Sequence, residues 1–412
     1  MQKKRFFYLS IGLIIMVVAV GLTARTTFFK KAVKPEVLAP PVVEVEAPVI
    51  VEEPVEIEEE ASGIIEEKVE VTVEVPEIEV PVIEEEKILR PEFQKGMSLV
   101  AWTENGYSNV NAVKAMEQLT PLGVEWVGLV STWYQERYDS TDIYPLKDKS
   151  PSDESLIFAI RQLRQLNFKV MLKPHLDLIK SEGKWRGEIG FDLSSDWQAW
   201  FESYTVFLLH YAKIATEENV ELFCVGTELT QPALAEPRRW RDLIKKVREV
   251  YKGQLTYAAN WHNGYNQIEF WDALDYAGLD AYFPLVCSMQ PTVEELKSVW
   301  QDWMGEIEAW QKKIDKPVLF TEMGYKSSRD AADEPWQHIP VGELDLELQV
   351  NCYRALLETF WDRPWFYGAY WWYWGVHPKM GGPSNRSFTP QNKPAQETIK
   401  EWYNKPISGK SY

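Results

Sequence analysis

The sequence predicts a (β/α)₈ barrel over residues 89–412, on three observations. Eight short apolar runs recur there, at 97–102, 126–132, 169–173, 222–225, 255–259, 276–281, 318–321 and 368–372. Amphipathic stretches of helical length lie between them, at 109–119, 152–166, 196–215, 238–250, 292–314 and 344–360. No glycine-rich phosphate loop follows the first run, which lowers the case for an open doubly wound sheet. Strands alternating with helices over some 320 residues suit a parallel barrel of the TIM type with enlarged loops. Ser152 reads as a helix N-cap, with Ser155 and Leu156 opening the periodic face behind it.

Two segments of different texture precede the barrel. Residues 1–30 carry Lys3, Lys4 and Arg5 followed by seventeen uncharged residues, 6–22. That length suits a signal anchor better than a cleaved signal peptide, although cleavage after Gly21 is the alternative. Basic residues also follow the apolar stretch (Arg25, Lys30, Lys31, Lys34), so charge orients it poorly. Residues 31–88 form a Val/Glu/Pro-rich linker in which prolines deny strand pairing and glutamates repel one another. The expected arrangement is a membrane-anchored chain with its barrel outside the cytoplasm, or a secreted one if the leader is removed.

The net charge of −18 is concentrated in that linker: residues 31–90 hold 18 Glu against 5 Lys/Arg. The barrel is only mildly acidic, and no basic patch suggests nucleic acid. Cys224, Cys287 and Cys352 are far apart and lack metal-ligand spacing, so no metal or cofactor is expected. Cys224 sits in an apolar run and reads as a small core residue. The 19 Trp exceed what a core needs, and about half are expected to pack while the others offer flat apolar surfaces to a ligand.

In such barrels chemistry sits where strands end and βα loops begin. Run four ends at Glu228 and run seven at Glu322, each a carboxylate directly after an apolar strand. A charge there is expensive unless it is paired or used. One such acid could be a salt bridge; two, on strands four and seven, point to paired-carboxylate chemistry. Glycosidic bond cleavage needs that pair, and a spacing of about 5–5.5 Å gives a covalent intermediate with retained configuration.

The strings Val-Gly-Thr-Glu-Leu, Leu-Thr-Tyr-Ala-Ala-Asn-Trp, Leu-Asp-Ala-Tyr-Phe-Pro-Leu and Phe-Thr-Glu-Met-Gly-Tyr resemble glycoside hydrolase family 113. So do Thr-Trp-Tyr-Gln and Leu-Lys-Pro-His-Leu-Asp, and the match runs in order over roughly 95–405. The resemblance implies a retaining β-1,4-mannanase acting on mannan or glucomannan, with Glu228 as acid/base and Glu322 as nucleophile. It also implies that Tyr282 orients the nucleophile. Most of the wider clan has Asn before the acid/base, where it holds the sugar 2-hydroxyl; Thr227 stands here, as in family 113 itself, and is a candidate for sugar contact.

Other rim residues are candidates for sugar contact. They are Asn260 and Trp261 ending run five, and Lys173, His175 and Asp177 ending run three. Lys173 and Asp177 suit a mutual ion pair equally well. His175 lacks a second His at ligand spacing, which favours a sugar contact or a supporting hydrogen bond over a metal. Trp133 and Trp372 are expected as sugar platforms, while Trp102, Trp371 and Trp374 suit packing as readily. The stretches 183–191 and 375–390 read as cleft walls. Two other readings remain: a related β-glycosidase acting on another β-linked glycan, and a non-catalytic cell-surface polysaccharide-binding barrel.

Overall fold

The computed structural model describes residues 92–407, apart from Asn263, Cys287 and Met289. The expectations for 1–30 and 31–88 lie outside the described residues. Eight strands form one closed, all-parallel barrel in chain order: β1 Gln94–Val100, β2 Trp126–Gln135, β3 Lys169–Leu178, β4 Leu222–Thr227, β5 Gln254–Asn260, β6 Tyr276–Asp280, β7 Val318–Met323 and β8 Phe366–Gly375. The helices are α1 Val110–Glu117, α2 Asp153–Gln165, α3 Ser194–Glu217, α4 Thr230–Ala235, α5 Pro237–Val250, α6 Val293–Ile314, α7 Leu346–Phe360 and α8 Pro394–Tyr403. Helix α2 is capped by the Ser152 hydroxyl, which accepts from the Ser155 amide at 3.2 Å. Between β5 and β6 two 3₁₀ turns replace a helix, and Phe270 and Trp271 cover the sheet there.

Side chains alternate across each strand, so one set fills the barrel and the other meets the helices. Trp126, Met171, Leu222, Tyr276, Leu319 and Tyr370 come from six strands and pack together, forming a plug at the N-terminal end. Above it the wall must be thin. A Cβ at Gly96 would fall 2.6 Å from the Tyr370 ring, and one at Gly278 would fall 2.5 Å from the Tyr257 carbonyl oxygen. The interior then turns polar toward the C-terminal end, where Lys173, His175, Asp280 and Glu322 are buried.

The outward set takes up most of the tryptophan. Trp200 stacks on Tyr204 of α3, and its indole N–H donates to Gln135 Oε1 at 2.8 Å. Trp371 stacks face to face on Tyr353 of α7, with centroids 3.8 Å apart. Trp374 donates to the Ala115 carbonyl of α1. Among the described residues, Trp102, Trp185 and Trp336 are the exposed tryptophans, and all three lie on βα loops at the C-terminal end.

Lys393, just before α8, is buried with a hydroxyl and a carbonyl as its acceptors: Ser327 Oγ at 2.9 Å and Ser387 O at 2.7 Å. Burial lowers its pKa from 10.5 to about 7. The unfolded chain therefore holds a proton that the folded one lacks between those values, and stability falls as pH falls from 10.5 toward 7. Lys393→Met should remove this slope, at about 1.4 kcal/mol per pH unit at most. Urea unfolding of both proteins at pH 7 and pH 10 checks it: the mutant's relative stability should be greater at pH 7, and an unchanged difference would refute the account.

Candidate active site

The two acids reach the barrel mouth by the same local device. The register of β4 against β5 gains one residue between Cys224 and Thr227, and that of β7 against β6 gains one between Phe320 and Glu322. Such bulges re-aim side chains that strict alternation would send to opposite faces. Thr321 and Glu322 are consecutive, yet both bond to groups inside the barrel. At Glu228 the backbone enters the left-handed region, φ 55°, and its amide donates to Ala258 O at 2.8 Å. A non-glycine residue held there costs on the order of 1–3 kcal/mol.

Their surroundings then diverge. Glu322 accepts from Lys173 Nζ at 2.7 Å on one oxygen and from the Tyr282 hydroxyl at 3.0 Å on the other. Lys173 has no exposed surface and also contacts both oxygens of Asp280, at 3.0 and 3.3 Å. The Thr321 hydroxyl donates to Asp280 as well, at 2.9 Å. Desolvation opposes the charge on Lys173, but Asp280 and Glu322 outweigh it and raise its pKa. Glu228 accepts instead from a neutral amide, Asn260 Nδ2, at 2.7 Å. Burial pushes the Glu228 carboxyl up; Arg186 opposes this and the charge of Glu322 adds to it.

His175 is neutral: burial, then Lys173 and Arg186, push its pKa well below the usual range. Arg186 Nη1 lies 3.4 Å from Nδ1, which places the ring proton on Nε2, 3.4 Å from Glu322 Oε1. That Nε2 is buried and has no hydrogen-bond partner. The ring lies parallel to the Trp372 indole, with centroids 6.1 Å apart. Trp372 belongs to a cluster with Val100, Val130, Tyr282 and Phe388, so β8 and the stretch after it line the mouth.

The mouth thus brings together Glu228, Glu322, His175, Asn260, Tyr282 and Trp372. Trp261 forms one wall, stacked on Trp336 at 5.1 Å. Four expectations need correction. Trp133 faces outward, packed on Phe207, His210 and Tyr211 of α3, because it shares the parity of Ser131, whose hydroxyl meets Tyr211 at 2.6 Å. Lys173 is sealed beneath Glu322 and does not reach the rim. It is not paired with Asp177, which lies 3.8 Å from Arg186 instead. Thr227 is buried, with its hydroxyl 4.0 Å from the Cys224 sulfur.

Sequence reasoning missed Asp280 and gave Arg186 no role beyond a loop. The lone acid in the apolar run Tyr-Ala-Gly-Leu-Asp could have flagged Asp280, since a buried carboxylate demands a partner. Arg186 follows β3 by eight residues and opens a single 3₁₀ turn, too short for any periodicity to point inward. Among the described residues no group of three or more His, Cys, Asp or Glu is arranged to hold a metal. The neutral state of His175 is checked by imidazole NMR: its ring signals should stay fixed from pH 8 to pH 5, and a midpoint near 6.5 would overturn the assignment.

The chain was compared with known proteins. The model of glycoside hydrolase family 113 matches residues 99–393. The β-mannanase AaManA from Alicyclobacillus acidocaldarius, solved in complex with ManMIm, is similar at 28% identity and a TM-score of 0.69, covering 76% of this chain and 98% of that one. A family 113 β-1,4-mannanase solved as a complex is similar at 30% identity and a TM-score of 0.69, covering 77% and 100%. A family 5 mannosidase from Rhizomucor miehei shares the fold at 11% identity and a TM-score of 0.51, covering 76% and 92%. No curated protein matches the chain. With the matched stretch spanning the barrel from β1 to the start of α8, the chain belongs to glycoside hydrolase family 113.

Proposed function

We propose that this hydrolase is a retaining endo-β-1,4-mannanase acting on mannan or glucomannan, with Glu228 as acid/base and Glu322 as nucleophile. The observation that carries the roles is the contrast in partners. Glu322 takes a cation on one oxygen and a phenol on the other, which hold the carboxylate in place for attack. Glu228 is half-buried against a neutral amide, and its pKa is raised, which favours retaining the proton an acid must deliver. The similarity to two family 113 β-mannanases supports the choice of sugar.

In this reading Glu228 protonates the leaving glycosidic oxygen while Glu322 attacks the anomeric carbon, forming a glycosyl-enzyme. Glu228, now ionised, then takes a proton from water, which displaces Glu322. Tyr282 holds the attacking oxygen in place, the His175 Nε2–H supplies a donor for a sugar hydroxyl, and Trp372 offers a ring face. The anchor and linker of residues 1–88 would hold the barrel outside the cell against its polymer.

Glu322→Ala and Glu228→Ala should each lower release of reducing ends from mannan by roughly 10²–10⁴-fold. Azide should restore glycosyl turnover of an activated aryl mannoside to Glu228→Ala, because small anions then reach the glycosyl-enzyme. A mechanism-based fluoro-mannoside should label Glu322, and product sizing should show oligosaccharides. Full activity in either mutant would sink the roles. A preference for another glycan, with both mutants dead, would change the sugar alone.

A further inference from the structure

The strap that follows β7, residues 326–345, carries an indole across the barrel mouth. Beyond β6 the Leu285 amide donates to Ala332 O at 2.7 Å, so the strap passes over the end of β6. It reaches β5, where Trp336 stacks on Trp261 with centroids 5.1 Å apart and planes 28° from parallel. The base of the strap is tied. Ser328 and Leu344 form an antiparallel bridge, and the Asp330 carboxylate pairs with the buried Lys326 and accepts from the Gly342 amide at 3.0 Å. Trp336 nevertheless keeps 37% of its surface exposed. A ring held this way offers a ligand a flat apolar face that needs no ordering on binding.

Which part of a sugar chain meets that face follows from Glu228. Asn260 Nδ2 donates to Glu228 at 2.7 Å while its Oδ1 accepts from the His262 amide at 2.9 Å, so the turn 260–262 fixes Trp261 beside the acid. Trp261 in turn packs on the mouth cluster that holds Tyr282 and Trp372. An acid delivers its proton to the leaving oxygen, so the departing part of the chain lies past Glu228, away from the carbon that Glu322 attacks.

We propose that Trp336 is a specificity-determining residue: backed by Trp261, it is the platform for the departing segment of a β-linked pyranose chain, and it makes the enzyme select substrates that extend past the cleaved bond. The inference rests on the acid/base and nucleophile roles assigned above. The C–H face of a pyranose packs against an indole, and one such contact is worth about five-fold in affinity.

Two reagents separate this side of the site from the other. Mannohexaose extends past the cleaved bond, whereas a fluoro-mannosyl fluoride places only fluoride there. In the full chain, Trp336→Ala should lower kcat/KM on mannohexaose about five-fold through KM, and the fluoride should label Glu322 at the wild-type rate. Trp336→Phe should recover most of the loss. Equal losses with both reagents would make Trp336 a mere support of the site, and no loss with either would mean that no sugar reaches it; each result overturns the proposal.

Binding is followed separately by calorimetry on Glu228→Gln, with mannohexaose and with β-linked oligosaccharides of glucose and galactose. Adding Trp336→Ala should weaken the tightest of these about five-fold. An unchanged Kd, or no binding of any of them to Glu228→Gln, refutes the platform whether or not the wild-type chain cleaves a glycan. Failure of the hydrolase reading would instead appear as a wild-type chain that cleaves no glycan and takes no label, while Trp336→Ala still weakens oligosaccharide binding.

Discussion

A lysine ammonium buried inside a protein must be neutralised at short range, and at the mouth of this barrel Lys173 meets that demand with two carboxylates from neighbouring strands. Removing each ion from water costs about several kcal/mol, and only tight, multiply bonded geometry returns it. The arrangement therefore fixes β3, β6 and β7 relative to one another at their C-terminal ends. It also determines where Glu322 points, because the lysine holds one carboxylate oxygen and Tyr282 the other. The close approach at Gly96 and Gly278 and the aromatic plug below set this polar layer at the C-terminal end of the barrel.

The barrel was legible because its signals are local. Every strand is a short apolar run, and each observed strand contains most of its expected run, all but β6 extended at one or both ends by a few residues. The ends escaped because they carry polar residues that the barrel mouth, not solvent, receives: Thr227, Asn260, Glu322. The terminal helix α8 escaped too, since its ten residues follow a proline- and glycine-rich stretch and resemble a tail. The missing helix between β5 and β6 fits the sequence, which offers no amphipathic stretch there.

The site was legible to the extent that strand ends mark it. Glu228 and Glu322 stand out as single acids closing apolar runs, and Asn260, Tyr282 and Trp372 share that placement. Trp133 was misplaced because a strand end alone does not tell which face a side chain takes. Parity does: Trp126 fills the barrel, so Trp133, seven residues on, faces the helices. Lys173 shares the inward parity of Met171 and His175, but its depth depends on which acids await it, and those come more than a hundred residues later. Such pairings leave no trace in local pattern.

The sharpest case is the pair of acids, Glu228 and Glu322. Both acids occur in a Thr-Glu step at a one-residue bulge, and both close an apolar run of sequence. Nothing in the local sequence separates a nucleophile from an acid. The separation comes from what the closed barrel brings alongside. Thr321 turns its hydroxyl to Asp280 while Thr227 meets a cysteine sulfur; Glu322 receives an ammonium while Glu228 receives an amide. Those partners differ in charge, so two nearly identical strand ends acquire different surroundings only once the sheet has closed.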